Sequence, residues 1–214
     1  MIQLFGAAGS GSVPVEAALT LAGADFSVVE AATWAGPGEQ AKVARVNPMR
    51  QVPALVIDGG EVMTESAAIL IWIAERFPEA DLAPPPGHID RAQFLRWMSY
   101  VSAAIYSLYW VKDEPSRLTE GAASEALLVE RTEARIAECW GRMDAQVDPG
   151  RYILGDRLSV LDLYVAVVSR FRPRRRKFYE VAPRMAPCIR RVDADPRLRA
   201  FWAERYPFEA GWEG

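Results

Sequence analysis

Two short stretches of this chain carry polar groups at a spacing suited to chemistry. The longer one covers residues 47–66. In it Pro53 stands directly before the apolar residues 54–57. A proline has no N–H to give a sheet ladder, so it belongs at a strand start or an edge. A cis Val52–Pro53 bond turns the chain sharply and leaves the N–H and C=O of Val52 facing outward. Such a main-chain edge binds an extended peptide by strand-like pairing. Thr64-Glu65-Ser66 then precedes the apolar residues 67–73. That is a polar start to an apolar helix, where free N–H groups, a hydroxyl and a carboxylate meet. The shorter stretch is Gly6-Ala7-Ala8-Gly9-Ser10-Gly11-Ser12, whose only polar side chains are Ser10 and Ser12. Donors at a helix start favour the ionised form of a neighbouring group.

These groups need a sheet and helices to hold them. Residues 2–5 read as a first strand. Pro14 lies near a helix start, with Glu16 in the first turn, where negative charge suits the helix dipole. Val15, Ala18, Leu19 and Ala22 recur at helical spacing, and Gly23 ends the run. Residues 26–30 read as a second strand, and residues 34–45 as a loop with a short helix. Residues 54–57, the turn signal Asp58-Gly59-Gly60 and the return Glu61-Val62-Met63 read as a hairpin. A helix from Glu65 to about Phe77 completes a β-α-β-α-β-β-α order, which predicts a small mixed sheet covered by helices.

Pro84-Pro85-Pro86 marks residues 81–87 as a linker between domains of residues 1–80 and 88–214. Beyond it only helices are expected. Phe94, Met98, Val101, Ile105 and Leu108 form one stripe, and Val129, Ile136, Trp140 and Met143 a second. Val160, Leu163, Tyr164, Val167, Val168 and Phe171 form the densest. Ser159-Val160-Leu161-Asp162 has the form of a capping box. The basic cluster at residues 172–177 reads as a solvated loop between helices.

Composition narrows the class. The chain has 214 residues, half of them apolar, enough for one large domain or two small ones. A formal net charge of −3 gives no reason to expect nucleic acid. There is no run of about 18 apolar residues, so no membrane span is expected. The first residues read as a strand, not a signal peptide. Cys139 and Cys188 lie far apart, and His88 is the single histidine. No metal site is expected from them, and a reducing cytoplasm is the default reading.

The segment holding Asn47-Pro48, Gln51-Val52-Pro53-Ala54-Leu55 and Glu65-Ser66-Ala67-Ala68-Ile69-Leu70 resembles the glutathione-binding half of the cytosolic glutathione transferases. The resemblance implies an α/β thioredoxin-like N-terminal domain, an all-α C-terminal helical domain and a homodimer. The segment from Gly155 to Asp162 is similar to the family's capped helix in its second domain. Glutathione is the implied co-substrate, with no metal. Its middle residue would pair with the backbone of Val52, held open by Pro53. The γ-glutamyl carboxylate suits Ser66 and the N–H groups of a helix end, and the ammonium suits Glu65. Gln51 can bind either group. Trp34, Lys42 and Arg50 lie within reach of the glycyl carboxylate.

The implied reaction is attack of the glutathione thiolate on a small hydrophobic electrophile. A cysteine thiol ionises near pH ~8.5, and the thiolate is the nucleophile. Lowering that pKa by about two units takes roughly 2.7 kcal/mol. Ser10 and then Ser12 are the candidate side-chain donors, and backbone N–H groups of the glycine-rich loop are the alternative. The sequence departs from the family pattern here: many serine-type members carry their serine where Gly9 stands, and cysteine-type members their cysteine where Gly11 stands. Tyr100, Tyr106 and Trp110, on the first helix after the linker, are candidates to line an electrophile pocket. Two rival readings share the fold: a glutathione-dependent disulfide or peroxide reductase, and a non-catalytic glutathione- or ligand-binding protein.

Overall fold

The computed structural model describes residues 1–213. Strands β1 (Ile2–Gly6), β2 (Phe26–Glu30), β3 (Ala54–Val56) and β4 (Val62–Met63) form one sheet in the order β2-β1-β3-β4. β1 pairs with β2 in parallel, while β1–β3 and β3–β4 are antiparallel. Helix α1 (Val13–Leu21) links the parallel pair, since parallel neighbours need a crossover long enough to return the chain. Helix α2 (Pro37–Ala44) follows β2, and α3 (Ser66–Arg76) follows the hairpin. This is the mixed sheet and element order expected from the sequence.

Helix α1 is not amphipathic. Every residue from Val13 to Leu19 is buried, Glu16 included. The helix is packed against α3 on one side and α7 (Val160–Val168) on the other. Every residue of α7 is buried as well, which explains its unbroken apolar run. The two most buried helices therefore meet where the sheet-bearing half joins the helical half.

The helical half holds α4 (Arg91–Tyr100), α5 (Tyr109–Asp113), α6 (Ala122–Asp144), α7, α8 (Arg174–Val181), α9 (Ala186–Asp193) and α10 (Arg199–Arg205). The first expected stripe is buried through Phe94, Met98, Val101 and Ile105. It then breaks: Leu108 is only partly buried, and Tyr109 is buried in its place. A π-helical turn at Val101–Ile105 and a 3-10 turn at Tyr106–Leu108 separate α4 from α5. The wider turn shifts the helical register, so side chains beyond it face directions that 3.6-residue spacing does not foretell.

Residues 81–87 hold no helix or strand, yet Leu82 is buried and its carbonyl accepts from Val160 N–H at 2.8 Å. The basic cluster departs from expectation. Arg174 opens α8, and Arg175 is fully buried. Its guanidinium donates to Asp193 at 2.5 and 3.0 Å and to Ala166 O at 2.5 Å. A cation is tolerated there because carboxylate and carbonyl acceptors surround it.

The start of α7 rests on Asp162, which is fully buried. One of its oxygens accepts from Ser159 N–H (2.9 Å) and the Ser159 hydroxyl (2.7 Å), and the other from Ile153 N–H (2.9 Å). Removing it orphans two buried N–H groups. Asp162→Ala is therefore expected to lower stability by about 2–4 kcal/mol in urea unfolding. Asp162→Asn should recover only part of that, because its amide nitrogen turns a donor toward donors.

Candidate functional site

Register brings three loops to one end of the sheet. Ala54 at the start of β3 pairs with Phe5 near the end of β1. Met63 at the end of β4 pairs with Leu55. The loop leaving β1, the loop before β3 and the loop leaving β4 therefore share that end.

In the loop before β3 the Val52–Pro53 bond is cis. Neither the N–H nor the C=O of Val52 bonds to a described residue. Buried Asn47 holds the loop from behind. Its side-chain amide donates to Gln51 O at 3.0 Å, and its Oδ1 accepts from Met49 N–H at 3.1 Å. Pro53 is buried, while the Gln51 side chain is exposed.

In the loop leaving β4, exposed Glu65 adopts φ 65°, ψ 104°. A side-chain-bearing residue held there costs on the order of 1–3 kcal/mol, and such strain gathers at ligand sites. Ser66 follows as the first residue of α3 and is buried. Its Oγ lies 2.8 Å from the Tyr164 hydroxyl of α7. Burial pushes the Tyr164 phenol up to about 12, so it stays a neutral O–H. With Tyr164 donating, Ser66 keeps its own proton for an anion at the helix end.

The loop leaving β1 is built differently from expectation. Ser12 is fully buried. Its hydroxyl donates to Glu16 Oε1 at 2.7 Å and accepts from Ala7 N–H at 3.0 Å. Ser10 is also buried, accepts from Ser12 N–H at 3.1 Å, and lies 2.9 Å from Ser12 Oγ. Because the Ser12 proton goes to the carboxylate, the Ser10 proton goes to Ser12. Both serines, expected as donors to a thiolate, turn their protons into the fold. Glu16 is in turn held by Arg205 of α10, whose Nε donates to Oε2 at 2.5 Å, while Arg205 Nη1 pairs with Glu30 at 2.6 Å. Gly9, at φ 69°, donates its N–H to Arg205 O at 2.8 Å.

The three aromatic candidates separate. Tyr100 donates to Cys139 O at 3.2 Å and sets its ring against Trp97, so it belongs to the packing of α4 on α6. Trp110 is 47% exposed and carries the Arg117 guanidinium over its ring at 4.8 Å. Tyr106 alone of the three reaches the first loop. A Cβ placed on Gly11 would stand 1.7 Å from its hydroxyl oxygen. Its ring stacks on Phe171 (5.9 Å, 21°) and meets the Tyr164 ring edge-on (6.1 Å, 88°). Trp34 and Arg50, expected near the glycyl carboxylate, are exposed, and Lys42 is tied to Glu39 (2.7 Å) and Glu30 O (3.2 Å). Among the described residues no group of three or more His, Cys, Asp or Glu side chains could hold a metal ion. No helix among them is long and apolar enough to cross a membrane.

Residues 8–76 match the sequence model of the glutathione S-transferase N-terminal domain. The chain is 28% identical, over 93% of its length and 96% of the relative's, to an Escherichia coli (strain K12) protein described as the uncharacterized GST-like protein YncG. Over residues 8–76 the chain is thus similar to the glutathione S-transferases. Among solved structures, a sphingomonad glutathione S-transferase complexed with glutathione is 25% identical, with a TM-score of 0.73 over 92% of this chain and 96% of that one. A glutathione transferase homologue from Sulfitobacter, with bound glutathione, has a TM-score of 0.83 over 95% and 97%. At 23% identity that likeness speaks for the fold.

Glu16, Arg205 and Tyr164 escape a reading from motifs. Glu16 looks like an ordinary acidic residue in a first helical turn, and Arg205 lies 189 residues from it. The one available signal is position: a carboxylate in an otherwise apolar helix needs a buried partner. Breaking that pair is expected to be costly. Glu16→Ala should lower stability by about 3 kcal/mol in chemical denaturation. Ser10→Ala, which removes only a neutral hydroxyl at the edge of the network, should cost about 1 kcal/mol.

Proposed function

We propose that this chain binds glutathione at the shared end of the sheet and catalyses attack of its thiolate on a small hydrophobic electrophile. The observation that carries this reading is the convergence at one place of three features. They are the free main-chain groups of Val52, the helix start at buried Ser66, and the first-loop glycines at the head of α1. Each suits a different part of a γ-glutamyl tripeptide. In this reading the cysteinyl residue pairs with Val52 beside Pro53. The γ-glutamyl carboxylate takes the Ser66 hydroxyl and the first N–H groups of α3. Glu65 and Gln51 face the ammonium. Ser10 and Ser12 hold the first loop in shape.

The glutathione-bound relatives support the same ligand. The domain boundary at residues 81–87, a cytoplasmic location, a homodimer and a role in detoxification go with this reading. A specific observation keeps a second reading in play. With Gly9 and Gly11 in the first loop and both serine protons committed, that loop offers no free side-chain donor. A protein that binds glutathione without turning it over fits that loop.

Calorimetric titration with glutathione, wild type beside Ser66→Ala, tests the binding step. Saturable binding that weakens at least about tenfold in the variant is expected, equivalent to about 1.4 kcal/mol. No heat from the wild type at millimolar glutathione overturns the reading. Turnover of an activated aryl halide separates the two versions: the transferase consumes glutathione with it, and the binding protein does not.

A further inference from the structure

Three tyrosines of the helical half give their hydroxyls to the protein. Tyr100 donates to Cys139 O, Tyr109 donates to Val168 O at 3.4 Å, and Tyr164 pairs with Ser66. The Tyr106 hydroxyl bonds to none of the described residues, although it lies against the head of α1. It takes the space that a side chain at position 11 would fill. The N–H of Gly11 likewise has no partner among the described residues. An unpartnered hydroxyl and an unpartnered N–H thus share one spot at a helix start, where the dipole favours negative charge.

From this geometry, resting on the glutathione reading above, we infer that Tyr106 is the thiolate-stabilising donor of this protein. The helical half delivers it into the place left open by Gly11. In the reaction the thiol proton leaves to solvent, and the sulfur lone pair forms the new S–C bond as the leaving group departs with its electrons. Tyr106 keeps its proton throughout and donates a hydrogen bond to sulfur. Three observations fit that role. The ring is clamped by Phe171, Tyr164 and Tyr109, so the hydroxyl is held ready without reorganisation. Burial, and the nearby Tyr164, push the phenol well above its ordinary range, so it is a donor and not a base. Glycine at position 11 is required, because any Cβ there would strike the hydroxyl.

The test is the titration of glutathione thiol bound to the protein, read by thiolate ultraviolet absorbance, for wild type, Tyr106→Phe and Gly11→Ala. Calorimetry and turnover of the aryl halide run alongside. Wild type should ionise the bound thiol below its free pKa. Tyr106→Phe should raise that pKa by about one to two units and lower kcat about 10–100-fold, while glutathione affinity stays within about threefold. Gly11→Ala displaces the hydroxyl and should move the thiol titration in the same direction, which guards against a folding defect peculiar to one variant. Glutathione bound equally by wild type and Tyr106→Phe, with the same thiol titration, overturns the assignment alone. Failure of the wild type to bind glutathione overturns the assignment and the proposed function together.

Discussion

The loop at the heart of this site depends on one buried carboxylate. Glu16 sits in a helix enclosed on two sides, with 1% of its surface exposed. A bare carboxylate there is prohibitive, so the fold must bring it partners. Arg205 comes from the far end of the chain and Ser12 from the preceding turn. Satisfying Glu16 draws Ser12 inward, and Ser12 draws Ser10 and the Ala7 N–H after it. The path of residues 7–12 is therefore set by a buried charge. Because Arg205 also reaches Glu30, and its carbonyl takes the Gly9 N–H, α10 braces both the loop and the edge of β2.

That bracing has a chemical consequence. Once the serines face inward, the exposed part of the loop is Ala8 and, in part, Gly9, and Gly11 is buried beside the Tyr106 hydroxyl. A glycine-lined helix start offers N–H groups and space but no side-chain donor. The helical half occupies the space. Tyr106 and Tyr164 come from different helical segments, touch each other edge-on, and reach Gly11 and Ser66 respectively. The helical half thus sets a tyrosine hydroxyl beside both Gly11 and Ser66.

The range of each interaction decides how much of this is legible in the sequence. The hairpin, the strand-opening proline, the capped start of α7 and the polar start of α3 are local patterns, and all stand at their expected positions. The end of the first stripe does not, because a single π turn between residues 101 and 105 rotates the segment beyond it. Beyond that turn Tyr106 lies against Gly11 while Trp110 is exposed, although residues four apart on a regular helix share a face. The inward hydrogen bonds of the serines are illegible for another reason. A hydroxyl in a glycine loop looks free until its acceptor is known, and Glu16 becomes an acceptor of that kind only because Arg205 holds it. Arg175 is the same case: in a run of basic residues nothing local distinguishes the one that meets Asp193 from those that meet water.

The two tyrosines also tie the loops at the shared end of the sheet to the packing of the halves. A hydrogen bond between Ser66 and Tyr164 forms only when α3 and α7 are seated against each other, and Tyr106 meets Gly11 across the same junction of the two halves. Small sliding between the halves would separate both pairs at once, since close-packed interfaces shift as units. Hydrogen bonds weaken steeply with a few tenths of an ångström and with angle. A site whose polar groups come from both halves is therefore complete only in the packed state. The wholly buried faces of α1 and α7 are what keep it there, so the apolar core acts on the chemistry through position.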